Sequence, residues 1–378
     1  MAAWAQLPGA VERGFVQGLG LWVQTAQAAV TGRIPISLAE WVEGATLAVV
    51  LGGLSWLVVA LWRGRGRRGR ILLQAGLAAW IALAAVGVLF YGSWGLGYGR
   101  ARAEVRLGWV QPGERLDPLT ADDLERWGDV LVDQVNELYL RLHGWPDDHR
   151  ATRAPEGIAA ADAAIDRAYV RLAGRLHLHP SVGWSRGPSK PLLSSVVFSY
   201  LGIGGFYFPF TAEANIDADA PEWQRAHTIA HEKAHQRFFN SENEANFFGF
   251  LACIHADDDF VRYGGWLFAQ RQVLRALSRT DDAAFRRVIA RRYPGVQRDV
   301  NVSYAFWAGY EGPLATVSQG VNDSYLKLNG VEGGVRSYGR SVELVVAWLE
   351  RHPPGEEIAR TDLGSAPPPA HDEPPAAR

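Results

Sequence analysis

Two long runs of apolar residues stand out in the first quarter of the chain. The first extends from Gly44 to Trp62 and the second from Ile71 to Trp94, and neither contains a charged residue. A helix needs about 20 apolar residues to cross a bilayer, and a core helix seldom stays apolar on every face over that length. The pattern predicts a transmembrane hairpin over residues 41–96, with spans at about 44–62 and 71–94.

The loop between the two runs is strongly basic. Residues 63–70 contain five arginines, whereas three arginines follow the second span, partly balanced by Glu104. Basic residues in short loops stay on the cytoplasmic side of a membrane. We therefore expect a multi-pass protein of the cytoplasmic (inner) membrane whose large C-terminal domain is extracytoplasmic.

The first forty residues are apolar but interrupted by Glu12, Arg13 and several glutamines. This mixture predicts an interfacial or weakly membrane-associated segment over residues 1–40. A third, weaker span is the alternative.

Residues 97–352 have the pattern of a mainly helical domain. Apolar residues recur at helical spacing from Leu124 to Leu142, after a candidate N-cap at Thr120, and again from Ile158. Residues 192–211 are β-branched and aromatic with glycine breaks, which predicts extended structure. Residues 353–378 are proline-rich and polar, so we expect a disordered tail. The predicted fold class is mainly α with a small β element.

Composition restricts the chemistry. The net charge of −2 lacks the basic excess that a nucleic-acid-binding protein needs, so no nucleic-acid partner is expected. Cys253 is the single cysteine, which excludes an intramolecular disulfide and a thiolate metal cluster. A metal would have to be held by histidines and carboxylates.

The segment from His231 to His235 reads HEKAH and matches the pattern HExxH. Residues four apart lie on one face of a helix, so His231 and His235 can reach one Zn²⁺ ion. Glu232 would lie beside the open metal position, where it can activate zinc-bound water as a general base. Five-residue patterns of this kind also occur by chance.

A third ligand is expected shortly after a break at Asn240 and Ser241. We assign it to Glu244, which shares a helical stripe with apolar residues that face the core. Glu242 is the second candidate. Alternatively, Ser241 and Glu244 form a capping box, in which Glu244 only caps the helix.

Three other charged or titratable residues near the motif receive structural interpretations. His227 and His255 are interpreted as ordinary core or surface histidines rather than ligands. Lys233 is charged where active zinc peptidases usually have an uncharged residue, and it would be harmless if it pointed to solvent.

Residues 194–253 closely resemble an uncharacterised bacterial membrane family, domain of unknown function 3810. The resemblance extends to Ile34–Glu40, Trp94–Tyr98, Val321–Lys327 and Arg336–Arg340. It implies a bacterial membrane protein with a zincin-like metallopeptidase domain and a Glu third ligand. Glu244-Ala245-Asn246 stands where membrane-embedded zinc peptidases have Glu-Ala-Asp, which supports Glu244.

Two departures from the family pattern bear on the site. Asn246 replaces an Asp that orients a metal-bound His, and its carbonyl can still accept the ring N–H. Phe238 replaces a glycine after the motif, which changes the turn that leads to Glu244.

Peptidases of this type also stabilise the oxyanion of the tetrahedral intermediate. Tyr338 is our candidate for that catalytic role, with Arg336 and Tyr325 as alternatives, although for any one of them a role at a helix start or in packing is the favoured interpretation. The extended segment Gly205–Asn215 is a candidate edge strand for a peptide substrate.

The expected function is that of a membrane-anchored zinc-dependent metallohydrolase, in particular an endopeptidase, with the lipid bilayer and a peptide or protein substrate as partners. The alternative is a non-catalytic membrane protein with a structural or sensory zinc site. A third hypothesis is a helix that binds no metal.

Overall fold

The computed structural model describes residues 8–329 and 340–354, without the side chain of Tyr325. At the N-terminus, a π-helical stretch, Val11–Leu19, leads into the first helix. Fourteen α-helices are numbered here: α1 Gly20–Thr31, α2 Leu38–Arg63, α3 Arg68–Ser93, α4 Ala103–Arg106, α5 Ala121–His143, α6 Ile158–Arg175, α7 Ser195–Tyr200, α8 Glu222–His235, α9 Glu242–Ile254, α10 Asp259–Thr280, α11 Asp282–Ile289, α12 Pro294–Ala308, α13 Pro313–Leu328 and α14 Ser341–Arg351. The described residues therefore confirm a mainly helical fold.

The two apolar runs form the helices α2 and α3. Both are long and apolar enough to cross a membrane, and the apolar window of each is entirely unburied within the protein. Both helices extend beyond the predicted spans, and Ser37 caps the start of α2 by accepting from the backbone N–H of Glu40. They form a hairpin whose two outer ends lie against the rest of the protein.

The N-terminal helix α1 packs one face against the loop after strand β2 (Gly205–Phe208). Gln24 donates to the hydroxyl of Tyr207 at 2.7 Å, and Thr31 donates to the carbonyl oxygen of Thr211 at 2.9 Å. Leu19, Trp22 and Val30 lie on the exposed side of this segment. The sequence did not predict this contact. The other side of the segment is apolar and exposed, and its location at a membrane interface stays a prediction.

The β element is a three-stranded sheet with the order β1-β3-β2. β1 (Lys190–Pro191) pairs in parallel with β3 (Glu213–Ile216), and β2 pairs antiparallel with β3. β2 is thus an edge strand, whereas β3 is central. The prediction of extended structure over residues 192–211 was wrong for α7, where the segment turns helical after Ser194.

The helical core surrounds α8. Its buried residues Ala226, Ile229, Ala230 and Ala234 contact α6, α9 and α10, and α5 packs along α10 on the far side. Small side chains let these helices approach closely. The predicted N-cap Thr120 is confirmed, because it forms a capping box with Asp123 at the start of α5.

The turn after α8 places a large residue in an unfavourable backbone conformation. Phe238 has a φ of 62°, in the left-handed region that glycine adopts without strain. Its ring is buried and contacts Phe15 edge-on, with 5.7 Å between the centroids. Burial of the ring therefore compensates the backbone strain at this position.

Substitutions at Phe238 should separate these two effects. Phe238→Ala removes the buried ring but retains the strain, and we expect it to cost about 3–5 kcal/mol of stability. Phe238→Gly removes both, so it should be about 1 kcal/mol more stable than the alanine variant. Denaturant unfolding of both variants in detergent measures the difference. Equal or lower stability for the glycine variant would contradict the strain at this position.

Candidate metal centre

The last two turns of α8 bring the HExxH residues together. The ligand atoms of His231, Glu232 and His235 all lie within 4.8 Å of one another. The two imidazole rings are 4.8 Å apart and nearly perpendicular. The prediction that this spacing places both histidines on one helix face is confirmed.

The carboxylate that faces both imidazoles belongs to Glu242. Its oxygens lie 3.2 Å from Nε2 of His231 and 3.7 Å from Nε2 of His235. Burial would raise the pKa of Glu242, but hydrogen bonds and charge from the two histidines outweigh burial and hold that pKa well below its ordinary value. Glu242 thus joins His231, Glu232 and His235 in the cluster.

Glu244 is directed elsewhere. Its carboxylate lies 2.5 Å from a guanidinium nitrogen of Arg106, which also lies over the rings of Phe239 and Phe248. Ser241 makes no side-chain capping bond, so the capping box is not formed either. The structure therefore does not bring the predicted ligand Glu244 to the two imidazoles.

The start of α9 explains this arrangement. Glu242 is the first residue of α9, and helical side chains point back towards the N-terminal end of their helix. Its carboxylate is thereby aimed at the end of α8. Glu244 lies two residues, or about 200°, further around the helix, so it faces Arg106 instead.

The hydrogen bonding of His235 restricts what can lie between its ring and the Glu242 carboxylate. Its Nδ1–H donates to the carbonyl oxygen of Phe239 at 2.8 Å, since a carbonyl only accepts. In the neutral ring, Nε2 then presents a lone pair to the Glu242 carboxylate. Two buried electron-pair donors that face each other need a proton or a metal ion between them.

The spacing of the donors fits zinc. Ligands about 2.1 Å from a tetrahedral zinc ion lie about 3.4 Å apart. The two imidazole nitrogens lie 3.2 Å and 3.7 Å from the two different oxygens of the Glu242 carboxylate, on either side of that value. His231, His235 and Glu242 could hold the ion and leave a fourth position for water.

Glu232 lies between the metal cluster and the edge strand. It is buried, and burial raises its pKa to about 7, partly offset by the positive charge of the two histidines and by the backbone N–H of Tyr207 in β2. A Cβ atom added at Gly205 would lie only 3.0 Å from its Oε1. The absence of a side chain at Gly205 therefore lets β2 approach Glu232.

His231 is fixed by α9. Burial alone would lower its pKa, but interactions with Glu242 and Glu232 outweigh burial and raise it above the ordinary value. The predicted hydrogen bond from its ring N–H to Asn246 is not formed, because Nδ1 of His231 is buried without a hydrogen-bond partner among the described residues. A Cβ atom added at Gly249 would lie 3.0 Å from the backbone nitrogen of His231, so glycine allows the two helices to cross this closely.

The other histidines take structural positions. His227 stacks on Phe268 with 3.5 Å between the centroids, and burial lowers its pKa to about 3. His255 interacts with the carbonyl oxygen of Leu251 through Nδ1. The interpretation of both as ordinary core residues agrees with these contacts.

Lys233 does not point to solvent. It is completely buried, and its Nζ lies 2.6 Å from Asp162 and 2.9 Å from Asp166, both on α6. Arg237 also binds Asp166, at 3.1 Å. Lys233 therefore points away from the metal cluster, and its charge is neutralised beneath α8.

The end of α3 and the residues that follow it support the centre directly. Trp94 donates its ring N–H to the carbonyl oxygen of His235 at 3.0 Å, and Asn240 donates to the carbonyl oxygen of Trp94 at 3.0 Å. A Cβ atom at Gly97 would collide with Asn240, so this contact requires glycine. No local pattern in the sequence indicated that Trp94 contacts the site.

The predicted oxyanion residues Tyr338 and Arg336 lie outside the described residues, as does the side chain of Tyr325. Their roles stay predictions. The tail 353–378 is also outside the described residues, apart from Pro353 and Pro354.

Comparison with known proteins identifies one family. A profile described as "Protein of unknown function (DUF3810)" matches residues 15–346. No curated protein matches the chain, and no solved structure does.

Proposed function

Because the chain belongs to the DUF3810 family, a family of unknown function, we propose an activity from the site itself: a membrane-anchored, zinc-dependent metallopeptidase. The observation that carries the proposal is the buried cluster in which the Glu242 carboxylate faces Nε2 of both His231 and His235. A general base, Glu232, lies within the same cluster.

His231, His235 and Glu242 would hold the zinc ion. When bound, zinc acts as a Lewis acid that polarises the scissile carbonyl and makes water more acidic. Glu232 accepts the proton of the attacking water and delivers it to the leaving amine. Its position in the cluster, within 4.8 Å of the ligand atoms of His231 and His235, suits a carboxylate that acts on water at the metal.

The edge strand β2 would bind the substrate. Its partner β3 covers one side, and the other side has no strand among the described residues. A peptide can add to such an edge by backbone hydrogen bonds. Since Gly205 of β2 touches Glu232, a peptide bound along β2 would have its backbone close to the base. Within the predicted edge segment Gly205–Asn215, only β2 lies at an edge of the sheet, because β3 is the central strand.

The alternative of a non-catalytic zinc protein was motivated by Lys233 and Asn246. Lys233 is paired away from the cluster and does not interfere with the proposed chemistry. Asn246 forms no hydrogen bond to Nδ1 of His231, which has no partner among the described residues, so the case for hydrolysis rests on Glu232, which lies beside the two imidazoles.

Metal removal tests the proposal on the purified full-length protein. We expect about one zinc per chain, and hydrolysis of a quenched-fluorescent peptide library that stops after chelation and returns when zinc is added back. His231→Ala should contain no zinc and cleave nothing before or after the addition. Full hydrolysis in metal-free protein, or in His231→Ala, would refute the proposal.

We further propose that the hairpin crosses the bacterial cytoplasmic membrane with its basic loop inside and the metal centre outside. Alkaline phosphatase fused after Arg351 should then be active, whereas a fusion within the loop at Arg65 should be inactive. Green fluorescent protein at the same two sites should give the reverse pattern. Active phosphatase at Arg65 alone would place the metal centre in the cytoplasm.

A further inference from the structure

Two helices of the C-terminal part leave apolar faces uncovered. One face lies on and just before α7, and the other lies along α13. Their exposed members are Leu193, Val196, Val197, Tyr200, Leu314, Val317, Val321 and Leu328. Leu193 and Leu328 are 80% and 83% exposed. Apolar residues that are exposed together in this way mark an interaction surface, whereas single scattered ones are normal.

The polarity of α13 is segregated around the helix. Leu314, Val317, Val321 and Leu328 fall within one narrow stripe at 100° per residue. Leu326, on a different side, is fully buried against the protein, and the ion pair of Asp323 with Lys327 marks a polar side. The helix thus has a protein-facing side, a polar side and a separate apolar stripe with no cover among the described residues.

Both faces are tied to the ends of the membrane hairpin. Glu40, in the first turn of α2, accepts hydrogen bonds from the backbone N–H groups of Leu193 and Ser194 at 3.0 Å and 2.8 Å. At the other end, the hydroxyl of Tyr91 near the end of α3 donates to Asn329, the residue after α13, at 3.3 Å. The start of α2 and the end of α3 mark the same side of a membrane that the hairpin crosses.

The two faces are also joined to each other. Ala315 of α13 lies beside Gly202, which follows α7. The ring of Tyr200 contacts Tyr310 edge-on just before α13, with 4.9 Å between the centroids. An apolar strip therefore extends from one outer end of the hairpin to the other.

We propose that α7 and α13 lie on the outer surface of the bilayer, with their exposed apolar residues inserted at the boundary between headgroups and acyl chains. The occupant of this strip is lipid, because the strip is continuous with the two points at which the hairpin enters the bilayer. An amphipathic helix at such a boundary is inserted about 5–10 Å deep. The inference rests on the proposed insertion of the hairpin and goes beyond it.

The proposed location of α7 also determines where the metal cluster lies. The ring of Phe198 in α7 stacks on Phe206 of β2 with 4.9 Å between the centroids. Because β2 also touches Glu232, the edge strand and the metal cluster are held next to the membrane surface.

Site-specific fluorescence tests the strip in full-length protein reconstituted into vesicles of phosphatidylethanolamine and phosphatidylglycerol. Cys253, the only native cysteine, is buried and can stay, and the parent protein controls for its labelling. A polarity-sensitive dye is attached in turn to Val197→Cys, Val321→Cys and Leu51→Cys, the last within α2. Thr316→Cys, on the polar side of α13, is the matched control.

Lipids with a spin label high on the acyl chain should quench the dyes at positions 197 and 321 by about half and leave position 316 nearly unaffected, as expected for shallow insertion. Iodide should quench position 316 only. Quenching of positions 197 and 321 by iodide would show a water-facing strip, and protection from both quenchers would show a protein partner. Either result overturns the inference.

The dye at Leu51→Cys separates this inference from its premise. A spin label in the middle of the acyl chain should quench position 51 strongly. If position 51 is quenched while positions 197 and 321 are not, only the proposed surface strip is wrong. If position 51 is not quenched either, the proposed insertion of the hairpin is wrong, and the inference that rests on it is wrong too.

Discussion

Glu232→Gln is expected to lower the turnover of peptide hydrolysis by about 10²–10⁴-fold while the protein keeps its zinc. Gln has the same shape as Glu but cannot accept the proton of the attacking water. The ligands His231, His235 and Glu242 are unchanged, so metal content should stay near one zinc per chain. Steady-state hydrolysis and metal analysis on the same preparation measure both quantities.

The control for this variant is Glu222→Gln. Glu222 begins the same helix, α8, but its carboxylate accepts from the backbone N–H of Ala154 and lies outside the cluster. It should retain full turnover. Undiminished hydrolysis by Glu232→Gln would remove the residue from catalysis, and loss of zinc would instead make Glu232 a ligand.

Glu242→Gln is expected to weaken zinc binding by about 100-fold or more, whereas Glu244→Gln should leave zinc affinity within a few-fold of the wild type. The first carboxylate faces both imidazoles, and the second is engaged by Arg106. Competition against a fluorescent zinc chelator measures both affinities. The two changes are chemically identical and two residues apart, so they form a matched pair.

Stability must be followed alongside affinity. Glu244→Gln leaves the partly buried Arg106 without its anionic partner, so this variant should unfold more readily although it binds zinc normally. Thermal unfolding with saturating zinc distinguishes the two effects. If Glu244→Gln lost zinc and Glu242→Gln kept it, the ligand assignment would return to Glu244.

The sequence predicted the parts of this architecture that depend on local patterns. Uncharged apolar length predicted the hairpin, and helical spacing predicted that His231 and His235 share a face. Both follow from periodicity, which short-range backbone geometry determines. Thr120 could be identified as an N-cap because its partner Asp123 is three residues away.

The features that the sequence did not predict depend on where one element meets another. Assignment of Glu244 assumed that α9 packs its apolar stripe towards α8, but the first residue of α9 points back at the preceding helix. The choice between Glu244 and Glu242 depended on the turn at Phe238. Because a phenylalanine seldom adopts a positive φ, the sequence does not reveal the conformation of this turn. A helix over α7 was likewise hidden, since its β-branched and aromatic residues favour strands.

Contacts between residues far apart in the sequence were the hardest to predict. Trp94 and His235 are 141 positions apart, and Lys233 meets Asp162 across 71 positions. Neither pair follows a periodic pattern, so only the packed structure could reveal them. The burial of Lys233 was not foreseen because a lysine is seldom fully buried without a paired charge, and its partners lie on another helix.

The buried ions beneath α8 also constrain how this chain can change over generations. Lys233, Asp162, Asp166 and Arg237 neutralise one another inside the core. Loss of one partner strands a charge at a cost of about 3–5 kcal/mol, whereas replacement of the whole set by apolar residues is often neutral. A lineage can therefore leave this arrangement only through an unstable intermediate or by simultaneous change. The four positions thus depend on one another for stability, and the lysine inside the HEKAH segment contributes to the core beneath α8 rather than to the metal cluster.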